Sequence, residues 1–353
     1  MSLLAESGLL SVKRLLPQDA ITAARWDQFV TACPSATFFH RAGWQNIVRS
    51  VFRHETYFLY VEVEGQIQGV LSLGHVSSWL FGKSLTSLPF AVYGGVAVLN
   101  AESANALETE AQKIARHLGV AHLELRNVGP RHVEWPTQDL YVAFRKEILP
   151  QEDANLQAIP RKQRAMVRKG IKNGLVSEID SGVDRFFELY ANNVHRHGTP
   201  AMPKRYFEAL RAEFGVHCDV LTVTAPDGRA LSSVMSFYFR DEVLPYYAGD
   251  DESARELAAN DFKYWELMRR SCARGLKLFD FGRSKQDTGS YSFKKNWGFE
   301  PKPLHYEYCL YKRDVIPQNN PSNSKYKLMI SLWRRMPIGF ANWLGPHIVR
   351  NLG

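Results

Sequence analysis

Cysteine is scarce and unorganised in this sequence. Its 353 residues hold four, Cys33, Cys218, Cys272 and Cys309, with no CxxC pair among them. That spacing suggests neither a disulfide framework nor a thiolate zinc site, and free thiols in a reducing cytoplasm are the expectation. Long apolar runs are missing too: nothing approaches the ~18 consecutive apolar residues of a membrane-spanning helix. The stretch from Met1 to Leu16 has no basic start followed by an apolar run and a small-residue cleavage site, so no signal peptide is expected. There is no Gly-x-Ser-x-Gly elbow, no P-loop, no His-Glu-x-x-His helix and no solenoid repeat. His195 and His197 stand two apart on a helical stretch, where side chains diverge, so no metal site is expected.

What is present is an ordinary globular balance, 45% hydrophobic and 23% charged residues. At this length two domains are the default. Lys and Arg number 44 against 36 Asp and Glu, a formal charge of +8. The excess favours anionic partners without separating RNA from a nucleotide sugar or an anionic membrane. DNA is not expected among them.

Hydrophobic patterning divides the chain into two halves and a tail. In the first half, helices are expected at 20–32, 44–52 and 103–118. Strands are expected at 37–39, 57–63, 66–76, 85–98 (broken by Gly94-Gly95), 120–127 and 140–148, the last closing the half. Pro150 and Pro160 bracket a polar stretch, the expected boundary. The domains are therefore expected over 1–150 and 151–313, with a linker and amphipathic tail over 314–353. In the second half, helices are expected at 160–172, 183–195, 203–214 and 258–273. Strands are expected at 175–179, 218–224, 231–240 and 243–248, and the segment up to Leu310 completes the domain. Antiparallel strands with helices between them point to an α+β fold.

The densest chemistry lies near the end. Gly275-Leu276-Lys277-Leu278-Phe279-Asp280-Phe281-Gly282-Arg283-Ser284-Lys285 reads as a buried strand running into a polar loop. Gly289-Ser290-Tyr291-Ser292-Phe293-Lys294-Lys295-Asn296-Trp297-Gly298-Phe299 reads as a short helix stopped by glycine, followed by a new strand. Open α/β sheets bind ligands at the C-terminal ends of strands. Arg283, Ser284 and Lys285 at such an end, with Lys294 and Lys295 nearby, suit a substrate bearing phosphate or carbonyl groups. The alternative is a solvated loop between two core elements.

One helix is unusually basic. At about 100° per residue, Arg161, Arg164, Arg168 and Lys172 share a stripe flanked by Lys162 and Lys169, with Met166, Val167 and Ile171 on the packing face. Cations this dense repel one another, so an anion along the ridge is expected, phosphate best of all; a solvated face is the alternative. RNA would need aromatic platforms or base readers, which this helix lacks. Arg196, just before Gly198-Thr199-Pro200, is a further candidate anion contact.

Three stretches together resemble the FemABX family, whose members carry tandem GCN5-related N-acetyltransferase-like (GNAT-like) domains. Ile159-Pro160-Arg161-Lys162-Gln163-Arg164 to Lys172-Asn173-Gly174-Leu175 is similar to the family's basic helix entering the second domain. Asn260-Asp261-Phe262-Lys263-Tyr264-Trp265-Glu266-Leu267-Met268 is similar to its hydrophobic helix before the active-site strand, and 280–301 to its Phe-Lys-x-x-aromatic-Gly segment. Thr37-Phe38-Phe39-His40 to Trp44 is weakly similar to its N-terminal motif, with His40 where glutamine is usual. The resemblance covers most of 20–312 and is closest to the FemAB-like subgroup associated with exosortase and PEP-CTERM exopolysaccharide systems.

This resemblance implies two GNAT-like domains, each a mixed, mainly antiparallel sheet flanked by helices. It also implies cytoplasmic N-acyl transfer onto a peptidoglycan or exopolysaccharide precursor, an acceptor that is phosphate-bearing or sugar-linked. No tightly bound cofactor is implied; the best-known members take their acyl group from aminoacyl-tRNA. The Gln/Arg-x-x-Gly-x-Gly/Ala loop that grips coenzyme A in acetyltransferases is not visible. The corresponding 249–258 carries Asp250, Asp251 and Glu252, a poor seat for pyrophosphate. Such a seat argues against acetyl-coenzyme A but leaves an acyl thioester on a carrier protein open.

Lys294 matches the family position implicated in stabilising the tetrahedral intermediate. Arg283 would hold a phosphate bidentately. Asp280 would orient Arg283 or act as base, or else face solvent; Tyr291 would relay a proton, or else be a core or lid aromatic. Two other readings stay open: an N-acyltransferase using coenzyme A or acyl-carrier thioesters on an amino sugar, and a non-catalytic module for polyanions. Past a polar linker at 317–323, the tail sets Leu328, Ile330, Leu332, Trp333, Phe340, Trp343, Leu344, Ile348 and Leu352 beside Lys325, Lys327, Arg334 and Arg335. Short basic amphipathic helices over 324–353 suit a membrane interface, a partner, or docking on the protein's own body.

Overall fold

The computed structural model describes residues 10–78, 82–316 and 324–351, with side chains in the last segment from Met329 onward. The first nine residues, the 317–323 linker, Leu352 and the side chains of Lys325, Lys327 and Leu328 lie outside the described residues. Two compact units divide the described residues, one holding 10–78, 82–138 and 305–316, the other 139–304 and 324–351.

In chain order the first unit begins with β1 (Val12–Leu15), α1 (Ala20–Ala32), α2 (Gly43–Phe52), β2 (Glu55–Val63), β3 (Gln66–Ser78), β4 (Gly82–Ser87), β5 (Ala97–Val98), α3 (Ala101–His117), β6 (His122–Asn127) and β7 (Thr137–Gln138). The second holds β8 (Tyr141–Glu147), α4 (Glu152–Ala158), α5 (Arg161–Lys172), β9 (Val176–Ile179), α6 (Asp184–Arg196), α7 (Lys204–Phe214), β10 (Cys218–Thr224), β11 (Ala230–Phe239), β12 (Glu242–Asp250), α8 (Ala254–Leu257), α9 (Ala259–Ala273), β13 (Leu278–Lys285), α10 (Gly289–Asn296) and β14 (Pro301–Pro303). Then β15 (His305–Leu310) returns to the first sheet, and α11 (Ser324–Arg335) and α12 (Ile338–Val349) follow. The first sheet runs β1-β2-β3-β4-β6-β15-β7 with β5 on β3; the second runs β14-β8-β13-β12-β11-β10-β9. Each sheet is antiparallel except for one parallel pair, β4 with β6 and β12 with β13, joined by a crossover through α3 or α9. Two mixed, mainly antiparallel sheets with helices are the α+β fold that the patterning pointed to.

Two expected boundaries change. The strand at 140–148 does not close the first unit: β8 pairs with β13 and β14 in the second sheet. In return the last strand of the second half, β15, pairs with β6 and β7 in the first. The sheets trade strands, and no local sequence signal marks such a trade. The expected strand at 37–39 is a 3-10 turn at Phe38–His40. His40 closes it: Nδ1 accepts the Thr37 N–H at 3.0 Å, so Nε2 is the donor to Gly95 O at 2.7 Å. The expected long strand at 85–98 ends at Ser87 and resumes only at Ala97–Val98; between them Gly94 and Gly95 both donate to Arg126 O.

Helix α3 starts where the Asn100 side chain accepts the Ser103 N–H at 2.8 Å. It buries Leu107, Ala111 and Ala115 against Leu59, Leu71, Leu85 and Leu123 of the first sheet. In the second unit α6 lies directly on β12 at Gly249, where a Cβ would stand 2.3 Å from the Tyr190 backbone nitrogen. A helix backbone cannot swing aside as a side chain can. Gly249→Ala is therefore expected to destabilise the protein by roughly 3 kcal/mol, and an unchanged thermal unfolding curve would contradict this packing.

Candidate active site

The site is built where β13 bends. Phe279 and Phe281 anchor the strand in the core. Between Asp280 and Arg283 the register against β8 shifts, with Gly282 at φ +62°; this is a bulge that glycine adopts without strain. Asp280 fixes it. Its carboxylate accepts the Gly282 N–H at 2.7 Å and pairs with Arg145 Nε at 3.2 Å, with 1% of the residue exposed.

On its other side β13 loses its neighbour early. The parallel ladder to β12 consists of Glu242–Leu278 and Val243–Phe279. Pro245 follows on β12 without an N–H to donate, and β12 also shifts register against β11 there. In the first unit the corresponding β4–β6 ladder runs through four pairs, Ser84–Ser87 against His122–Leu125. The second sheet has a seam where the first is closed.

Helix α10 borders this bend. Thr288 caps it, Phe293 packs on Tyr264 and Phe281, and Trp297 is fully buried with Nε1 donating to Asp261 at 2.9 Å. This seats Lys294 so that Nζ donates to Phe281 O at 2.7 Å and Arg283 O at 3.1 Å, the carbonyls on either side of the bulged glycine. The Phe144 and Phe281 rings are each 5.7 Å away. Burial holds the ammonium pKa down to about 8; Asp280 opposes the shift and Arg283 adds to it. Lysine has three N–H donors, so one is left over. A partly desolvated cation with a spare donor is a strong stabiliser of developing negative charge.

The other expected site residues fall into three groups. Arg283 lies by the bend, its guanidinium 4.7 Å over the Tyr141 ring. Ser284 is buried, with an Oγ that has no hydrogen-bond partner. Lys285 ends β13, and its carbonyl accepts from Thr288 Oγ1 at 2.7 Å. Asp280 is corrected on one point: it does not face solvent, because its oxygens are engaged by Gly282 and Arg145 at the bend. Tyr291 packs edge-on to Phe144 at 5.4 Å, the core-aromatic alternative. Lys295 is exposed.

The second group is the ridge on α5. Arg161, Lys162, Arg168, Lys169 and Lys172 are exposed, while Arg164 donates to Gln157 O at 3.0 Å. Ile171 does not pack as expected and is 51% exposed. Gly170 takes the inner position instead, where a Cβ would lie 2.8 Å from that of Phe262 on α9. Pro160, just before the helix, abuts Gly298, just after α10, so the ridge begins beside the end of the Lys294 helix.

Arg196 is the third case. It donates to Asp250 O and to Asn193 Oδ1, and it lines a cavity of about 510 Å³ with Arg185, His195, Arg229, Asp251 and Glu252. Mixed charge there does not make the simple anion contact expected for it. The loop after β12 is also occupied by itself: Asp251 accepts the Ser253 N–H at 2.9 Å, and Asp250 pairs with the fully buried Lys263 at 2.8 Å. Sequence reasoning missed Tyr141 and Arg145, which support Arg283 and Asp280. The alternation Tyr141, Ala143, Arg145 is the signal for them, and it gains meaning only from the pairing of β8 with β13.

Residues 159–295 match the family described as "Acetyltransferase (GNAT) domain". Among curated proteins none matches significantly. Solved structures with the same fold include FemX, at 15% identity, covering 86% of this chain and 98% of that one with a TM-score of 0.66. They also include the C-terminal domain of a putative lysylphosphatidylglycerol synthetase from Agrobacterium fabrum (13% identity, 82% and 92% covered, TM-score 0.56). A third is a tandem GNAT protein from the clavulanic acid biosynthesis pathway (13% identity, 87% and 100% covered, TM-score 0.55). The chain thus has the tandem GNAT fold that it shares with these structures, and the match over 159–295 marks its second unit as a GNAT acyltransferase domain.

Proposed function

We propose that this acyltransferase forms amides, moving an activated acyl or aminoacyl group onto an amine of a cell-wall or exopolysaccharide precursor. The observation that carries the reading is the Lys294 ammonium, held on the carbonyls of Phe281 and Arg283 at the β13 bend. An ester or thioester is already activated, so no covalent nucleophile is needed. The neutral amine attacks the acyl carbon, the C–N bond forms, and the carbonyl π pair moves onto oxygen. The spare N–H of Lys294 stabilises that oxyanion. Collapse restores the carbonyl and expels the alcohol or thiol, which takes up the proton lost by the amine.

The loop after β12 bears on the donor. A coenzyme A pyrophosphate needs free backbone N–H groups, and Asp251 already engages that of Ser253. This supports aminoacyl-tRNA or a carrier-bound thioester, used as a cosubstrate rather than a resident cofactor. The fold shared with a lysylphosphatidylglycerol synthetase domain agrees with an aminoacyl donor. The test offers charged tRNA, acyl-carrier thioesters and coenzyme A thioesters in parallel with amino-sugar acceptors and detects amide by mass spectrometry. Amide from either of the first two supports the reading; transfer from coenzyme A alone replaces the donor, and no amide from any donor overturns the function.

The α5 ridge supports a phosphate-bearing substrate. Arg161→Glu with Arg168→Glu is expected to raise KM about tenfold at low salt, less at high salt, with kcat little changed. A fall in kcat at constant KM would remove the ridge from substrate capture.

A further inference from the structure

The tail carries a surface that amide formation does not use. From 315 to the end there is no Asp or Glu, against five Lys and Arg. Helix α12 is two-sided. Ala341, Gly345 and Val349 are buried, and Gly345 lies so close to Ala201 that a Cβ would meet its carbonyl at 3.1 Å. The opposite stripe holds Phe340 and Trp343, 50% and 63% exposed, with their rings stacked at 5.5 Å. Helix α11 repeats the scheme: Trp333 is buried, Ile330 sits against Gly198, and Met329 and Leu332 are both 57% exposed. Small residues fasten the tail to its own unit while large apolar ones point outward, the reverse of what burial alone would select.

We propose that the outer face of α11 and α12 docks on the surface of an anionic lipid bilayer. Aromatic rings with aliphatic neighbours enter the headgroup boundary, and Arg335, exposed in a segment without acidic residues, meets the lipid charge. A nucleic acid would use the rings as free stacking platforms and leave Met329 and Leu332 without a role; here the two rings stack on each other. No helix among the described residues is long and apolar enough to cross a membrane, so the contact lies in the interface.

The test floats the full-length protein with vesicles of phosphatidylcholine alone or mixed with phosphatidylglycerol. Binding is expected with phosphatidylglycerol, weakened by high salt. Phe340→Ser with Trp343→Ser should lower it at least tenfold and Arg335→Glu a few-fold, with the wild-type melting temperature kept because these side chains are exposed. The proposal is overturned if wild type does not float with phosphatidylglycerol, or if the double variant floats equally well. It is also overturned if, without flotation, the double substitution dissociates a dimer or abolishes RNA binding. Loss of lipid binding with normal amide formation in the double variant separates this outcome from failure or success of the catalytic reading.

Discussion

Lys294→Ala is expected to lower kcat for acyl transfer by roughly 10²–10³-fold, the loss typical of one oxyanion donor. Two effects must be told apart. The side chain fastens the β13 bend through two hydrogen bonds, so its removal also destabilises the second unit by about 2 kcal/mol. A protein several kcal/mol above its unfolding threshold stays folded after that loss. The rate effect should therefore persist at temperatures where circular dichroism shows the variant fully folded. If folded Lys294→Ala retained wild-type kcat, the lysine would be only a structural clasp, and the polyanion-binding alternative would gain. Lys295→Ala, one residue on and exposed, should stay within a few-fold of wild type.

The second large effect concerns how the returning strand is held. Glu307 on β15 is 1% exposed and accepts from Asn127 Nδ2 at 2.8 Å, Arg131 N at 2.6 Å and His132 Nδ1 at 2.7 Å. His132 also reaches Glu108 at 3.3 Å and stacks on Trp135 at 3.9 Å, while Arg131 pairs with Glu108 at 2.6 Å. Glu307→Ala leaves the half-buried His132 and the Asn127 and Arg131 N–H donors without their shared acceptor, and a loss of roughly 3 kcal/mol in urea unfolding is expected. Glu307→Gln, which keeps the shape but not the charge, should lose less.

The same network sets a pH window. Hydrogen bonds to Glu108 first, then Glu307, raise His132 to about 9, although burial pulls it down. Its stabilisation is complete below the unfolded value near 6.5 and is lost as pH rises through about 9. A side chain keeping 19% of its surface exposed is partly screened, so roughly 2 kcal/mol is at stake. For Glu307, burial alone would raise the pKa, but the bonds from His132 and from the Arg131 and His132 amides pull it below the usual value. That contribution exists above the unfolded carboxylate range and fades as acid titrates it. Stability should peak near pH 5–6.5 and decline on both sides, and His132→Ala should flatten the alkaline decline. An unaltered alkaline slope in that variant would refute the assignment.

Local chemistry was legible in the sequence where it was local. The amphipathic spacing of α5, the run 258–273 that became α9 and the glycine-stopped α10 all follow from periodicity and breakers. The cluster at Arg283 to Lys285 with Lys294 was visible as charge density at a strand end. Pairing across long separations was not. Nothing in residues 141–147 says that their neighbour is β13, nor in 305–310 that theirs is β6, so Tyr141 and Arg145 escaped notice. Asp280 drew notice because a lone acid beside an arginine invites a catalytic reading; its bond from the N–H of Gly282 exists only once the bulge forms. Ile171 read as core from its angle on the helix, but Gly170 lets α9 approach from one residue to the side.

The central claim is that a charged Lys294 stabilises the reacting oxyanion. It is tested most directly by the pH dependence of kcat/KM for wild type and Lys294→Arg. The wild-type rate should rise as the acceptor amine deprotonates and then fall through about pH 8 as the Lys294 ammonium is lost. In the arginine variant, slower but permanently charged, that alkaline fall should vanish below pH 10. An alkaline limb that stays near 8 in the variant would show that some other group carries it, and the role given to Lys294 would be wrong.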